Sequence, residues 1–133
     1  MVEKEKMQAC RVVINTTVDG CETQTVREGE MLLTSLSATL VYHEENAEVS
    51  VVFENGVAKI ERRGDYALSL KLKSGEITQG GIGLGNSQGE IQAYAYKVAY
   101  SLGKDSVLAV LHYDLIIGKE RQEMKLRLHA KLQ

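Results

Sequence analysis

Five glycine-bearing dipeptides, Asp19-Gly20, Asn55-Gly56, Ser74-Gly75, Gly103-Lys104 and Gly118-Lys119, separate runs in which apolar and polar residues alternate. Each supplies the glycine that a tight hairpin with positive φ requires, and each run has the period of two of a half-buried strand. The chain holds 12 glycines and no proline, so glycine alone carries the turn punctuation. No segment has a convincing helical period. Strands are predicted at 7–18, 21–33, 37–44, 48–54, 57–62, 66–73, 76–84, 90–102, 105–117 and 120–132.

The turns also predict registers, because a slip of one residue would send every side chain to the other face. Around Asn55-Gly56, Phe53 faces Ala58, Val51 faces Ile60 and Val49 faces Arg62, leaving Ser50, Glu54, Lys59 and Glu61 on the opposite face. Around Gly118-Lys119, Leu115 faces Gln122, Tyr113 faces Met124, Leu111 faces Leu126 and Ala109 faces Leu128. Around Gly103-Lys104, Tyr100 is set opposite Val107, Val98 opposite Ala109, Tyr96 opposite Leu111 and Tyr94 opposite Tyr113. One face stays apolar throughout. An open sheet of about ten such strands would leave two bare edges, and closure removes both. The expected fold is all-β: a closed up-and-down antiparallel barrel of about eight to ten strands with alternate residues in the lumen. Glycines 80, 81, 83 and 85 interrupt the alternation and predict a barrel bend, with Gly81 and Gly83 leaving space inside.

The 133 residues make one domain, 1–133, with residues 1–6 expected to be disordered ahead of the first strand. A net charge of −2 gives no basic excess, so nucleic acid is not an expected partner. Apolar runs such as Val107–Leu111 fall far short of the ~20 residues of a membrane-spanning helix, so no membrane partner is expected either. Residues 1–6 lack the apolar core of a secretory signal, and a cytoplasmic location is expected. The turn at Asp19-Gly20 pairs Val18 with Cys21 and Cys10 with Gly29, about 26 Å along the ladder. That distance excludes a disulfide, so two reduced thiols are expected.

The ordered signposts resemble the YwiB-like bacterial proteins of unknown function, members of the calycin superfamily together with lipocalins and fatty-acid-binding proteins. The matching pieces are Asp19-Gly20, Gly29, Val41-Tyr42-His43-Glu44-Glu45, Ile60-Glu61-Arg62-Arg63-Gly64, Gly89, and Leu111-His112-Tyr113-Asp114-Leu115 followed by Gly118. Together they cover nearly the whole chain. The resemblance implies a lipocalin-like barrel and says nothing firm about activity, because fold does not fix function. This chain departs from the family pattern before Gly89, where Leu84-Gly85-Asn86 stands in place of an expected Tyr-x-Thr. The turn at Asp19-Gly20 also leaves no room for the helical lid of fatty-acid-binding proteins.

The registers gather one set of polar side chains on the inner face. A turn at Asn46-Ala47 sets Glu44 opposite Val49, and Val49 faces Arg62, so Glu44 and Arg62 lie two strand spacings apart, about 9.6 Å, within reach of each other. A loop at 63–65 brings Tyr66 into that row, with Leu68 facing Ile60. Tyr42, Gln92, Tyr94, Tyr96 and Tyr113 also point inward. Arg62, Tyr66, Glu44, Tyr42, Tyr113 and Tyr94 are therefore the candidate ligand-binding residues. In the functional reading Arg62 meets an anionic group and the tyrosines add hydrogen bonds. In the structural reading Arg62 and Glu44 neutralise each other at a barrel end. His43, His112 and His129 fall on outward faces without a second ligand at metal spacing, and no catalytic carboxylate pair is present. The expected protein is a non-enzymatic binder of a small apolar or amphipathic molecule, without cofactor or metal. The alternative is a structural or interaction module whose barrel is filled by its own side chains.

Overall fold

The computed structural model describes residues 6–133; the expectation of a disordered start lies, for residues 1–5, outside the described residues. Ten strands follow in order: β1 (Gln8–Val18), β2 (Cys21–Leu33), β3 (Ser37–Glu44), β4 (Ala47–Glu54), β5 (Val57–Gly64), β6 (Ala67–Lys73), β7 (Ile77–Leu84), β8 (Ser87–Leu102), β9 (Ser106–Ile117) and β10 (Glu120–Leu132). Each pairs antiparallel with the next, and β1 pairs with β10 from Cys10↔Leu132 to Val18↔Met124, which closes the barrel. No helix among the described residues is long and apolar enough to cross a membrane.

Turn chemistry sets the registers. Asp19 (φ 47°) with Gly20 (φ 85°), and Asn55 (φ 55°) with Gly56 (φ 75°), hold both central positions in the left-handed region. That is the turn geometry whose twist matches two right-twisted strands, and Asp and Asn tolerate it better than other side chains. Val18↔Cys21, Phe53↔Ala58 and Leu115↔Gln122 pair as predicted. Cys10 is buried and Cys21 exposed at the hairpin tip, both as free thiols.

Three registers differ from the prediction by two residues. Glu45-Asn46 forms the β3–β4 turn, so Tyr42 rather than Glu44 faces Val49. β5 runs on to Gly64, so Leu68 rather than Tyr66 faces Arg62, and Tyr66 falls in the turn. β8 and β9 join through residues 103–105, so Leu102 rather than Tyr100 faces Val107. A shift of two preserves the inward face, which is why the apolar alternation did not reveal it.

Two differences do exchange faces, one in β8 and one in β7. β8 is bulged between Ala95 and Lys97, with Tyr96 as the extra residue. On the N-terminal side of the bulge Ile91, Ala93 and Ala95 point inward and are buried, while Tyr96 stands exposed. Tyr94, predicted to face Tyr113, instead pairs with Asp114 and lies outside the lumen; Gln92, opposite Ile116, goes outward with it. The bulge is tied down from the β6–β7 connection, where the Gly75 N–H donates to the Ala95 carbonyl at 2.8 Å and the Val98 N–H to the Ser74 hydroxyl oxygen at 2.8 Å.

In β7 the predicted inward glycines face outward, Gly81 opposite Ser69 and Gly83 opposite Ala67, and Ile82 takes the inner position. Gly80 is the glycine that the packing requires. A Cβ there would collide with the Ser69 carbonyl oxygen and come within 3.2 Å of Ile91. Gly80→Ala is expected to cost about 1–3 kcal/mol by overpacking, read as a lower urea midpoint. An unchanged midpoint would mean that β6 and β7 separate freely at this point.

Candidate functional site

The middle of the lumen is closed. Leu40, Phe53, Ala58, Leu72, Val107, Ala109 and Leu111 have no accessible surface. A void that admits even one water would leave surface on its walls, so side chains fill this level to the density of a protein core. At the end beside the β4–β5 turn, the Tyr100 ring sits 5.3 Å from that of Phe53, and its hydroxyl oxygen accepts the Gly56 N–H at 2.8 Å. These contacts cap that end.

The opposite end is looser. Tyr42, Val49, Ile60 and Tyr113 point into the lumen and keep 7%, 5%, 9% and 4% of their surface. Tyr42 and Tyr113 are neighbours here, each more than nine-tenths buried and each without a hydrogen-bond partner for its hydroxyl among the described residues. No sealed side-chain nitrogen or oxygen lacks a partner, so both hydroxyls open onto accessible space. Burial pushes the Tyr113 phenol up to about 12. Burial, with the nearby Glu44 charge, pushes Tyr42 up further, against the opposing charge of Arg27. Both phenols therefore stay protonated at neutral pH and keep their O–H donors free.

Arg62 stands at this end with its Nε and Nη1 donors engaged. Its Nε donates to Glu44 Oε1 at 3.1 Å, its Nη1 donates to the Tyr66 carbonyl at 2.8 Å, and Asp65 Oδ1 lies 2.8 Å from the same Nη1. The guanidinium carbon lies 3.7 Å from the centre of the Tyr66 ring. Burial works against the arginine charge, but hydrogen bonds to Asp65 and Glu44 outweigh it and raise the pKa. The Arg62 hydrogen bond in turn holds the Asp65 carboxyl below its usual value. Arg62 and Glu44 meet although they are not opposite each other, because both point inward and their long side chains close the diagonal.

The structure thus brings Arg62, Glu44 and Tyr66 together at one end, with Tyr42 and Tyr113 beneath them, and leaves Tyr94 outside. Sequence reasoning missed Asp65, the second carboxylate on Arg62; its signal was a position three residues on, across a turn. It also missed an outer-face cluster made by the bulge. The Tyr96 hydroxyl donates to Asp114 Oδ2 at 2.6 Å, Arg121 Nε donates to the same oxygen at 3.1 Å, and the Tyr96 ring lies 4.7 Å from that of His112. Asp114 is the buried charge of the described residues, and these two donors satisfy it.

Fold and site define a closed ten-stranded antiparallel barrel, filled at its centre and slightly more accessible at the end that carries Tyr42 and Tyr113. The crystal structure of the ywiB protein from Bacillus subtilis shares this fold, with a TM-score of 0.83 at 13% sequence identity over 96% of this chain and 93% of that one. The protein is a YwiB-like barrel in its architecture. No family model and no curated protein matches the chain.

Proposed function

We propose that this barrel is a non-enzymatic binder of a small apolar or amphipathic molecule, held at its more accessible end rather than along the lumen. The observation that carries this reading is the pair of phenol hydroxyls, Tyr42 and Tyr113, inside an apolar wall and without protein partners among the described residues. An apolar recess with a few converging polar groups suits a small ligand, and unpaired donors in it reward one that supplies an acceptor. Arg62 already faces two carboxylates, so the polar group of the ligand is an uncharged acceptor such as a carbonyl or hydroxyl. A cytoplasmic location and membership of the YwiB-like family, and through it of the calycins, complete the reading. The filled centre favours a second one, a structural or interaction module that works from its outer face.

Native mass spectrometry of the protein purified from its own cells, followed by denaturing extraction, separates the two. The binder reading expects a copurifying small molecule. Tyr42→Phe and Tyr113→Phe are each expected to weaken its binding about fivefold, the worth of one neutral hydrogen bond, while leaving the fold intact. A clean apo mass, or binding indifferent to both variants, would leave the filled-barrel reading in place.

A further inference from the structure

The outer face carries a second, independent feature. A groove of about 380 Å³ lies across β8, β9, β10, β1 and β2, within the size range of about 300–1,000 Å³ of small-molecule sites. Its basic lining follows from the registers. Lys97 faces His112, His112 faces Lys125, and Lys125 faces Thr17 in one continuous row. Arg127 is the next outward residue of β10 and faces Asn15.

Positive charge accumulates here and is only partly offset. Lys97, Lys125 and Arg127 take part in no ion pair among the described residues. Glu123, the carboxylate closest along β10, sits at the edge of the groove with its Oε2 3.0 Å from Nε2 of His112. Three cations against the carboxylates of Glu22 and Glu123 leave the groove at +1, on a chain whose net charge is −2. Each of the three cations faces a residue without a carboxylate across its strands, His112, Thr17, Val110 or Asn15, so none is neutralised by its cross-strand neighbour. Neutral donors complete the lining. The Asn15 side-chain oxygen accepts the Gln24 amide at 2.9 Å, which leaves the Asn15 amino group free to donate, and the Thr17 hydroxyl stands in the row of Lys125. Val110 supplies an apolar floor.

We propose that this groove is a binding site for a small phosphorylated molecule. A phosphomonoester carries about −1.5 to −2 at neutral pH and several acceptor oxygens, which complements a net-positive groove lined by donors. The fork of Arg127 and the two ammonium groups take phosphate oxygens, and Val110 packs the carbon skeleton. The acidic residues at the two sides, Glu22 and Glu123, limit the site to a compact ligand, since an extended polyanion would run into them.

Titration of ¹⁵N-labelled protein with pyrophosphate, followed by amide NMR at physiological ionic strength, tests the proposal. The expected result is saturable shifts confined to Asn15, Thr17, Lys97, His112, Lys125 and Arg127. K125Q and R127Q are each expected to weaken binding about tenfold, as loss of a charge-assisted contact does. K59Q and K71Q, on another part of the outer face, are expected to leave it unchanged. Shifts that fail to saturate by tens of millimolar, equal loss in K59Q and K125Q, or tighter binding of a short single-stranded oligonucleotide than of pyrophosphate would each overturn it. All four substitutions are at exposed side chains, so the fold survives them.

Discussion

Phe53→Ala is expected to lower the free energy of unfolding by about 4 kcal/mol, the cost of deleting a large aromatic from a core that cannot collapse around the gap. Phe53 has no exposed surface, faces Ala58 and Ala38 across its strands, and stacks against Tyr100. Its alanine neighbours have no longer side chains to swing into the cavity. In an open lumen the same truncation would remove only the transfer free energy of the ring, about 2 kcal/mol. Urea denaturation with matched m-values reads the difference. A cost near the lower figure would mean that the centre of the barrel holds space.

Arg62→Ala is expected to cost about 2 kcal/mol, less than the 3–5 kcal/mol of a fully buried pair, because Glu44 and Asp65 are partly in water. The loss has two sources. Glu44 and Asp65 are left facing each other without the cation between them, and the Tyr66 ring loses its partner. Arg62→Lys is expected to recover little, since an ammonium cannot serve two carboxylates and a carbonyl in one plane. Combining Arg62→Ala with Glu44→Gln isolates the coupling, expected at about 1 kcal/mol. Additive effects would mean that the diagonal contact is absent in solution.

The parts of the fold that were legible in the sequence are those encoded by steric necessity. Asp19-Gly20 and Asn55-Gly56 carry positive φ at both central positions, a requirement few other residue pairs meet, so turn and register follow together. Glu45-Asn46 and Asp65-Tyr66 impose no such requirement, and their loops could be read two residues too long or too short without disturbing the alternation. Arg62 and Glu44 survived that error because a shift of two keeps both on the inner face. The bulge at Tyr96 was not legible. Tyrosine fits either face of a strand, and Ala93 and Ala95 inside look like Tyr94 and Tyr96 inside until the volume of the lumen is known.

The candidate site divides in the same way. That Tyr42 and Tyr113 point inward follows from parity, but that their hydroxyls lack partners depends on what every other strand places beside them. Tyr94 was lost to the bulge, and Tyr66 acts through its carbonyl and its ring face on Arg62 rather than from within the lumen. Gly81 and Gly83 left no space inside, because β7 turns their bare face outward.

A high-resolution crystal structure of the protein purified from its own cells tests the central claim most directly. The expected density is a small molecule or ordered water hydrogen-bonded to the Tyr42 and Tyr113 hydroxyls beneath Arg62, with nothing between Phe53 and Leu111. A ligand lying through the centre of the barrel, or two phenols bonded to protein groups with no space beside them, would contradict it.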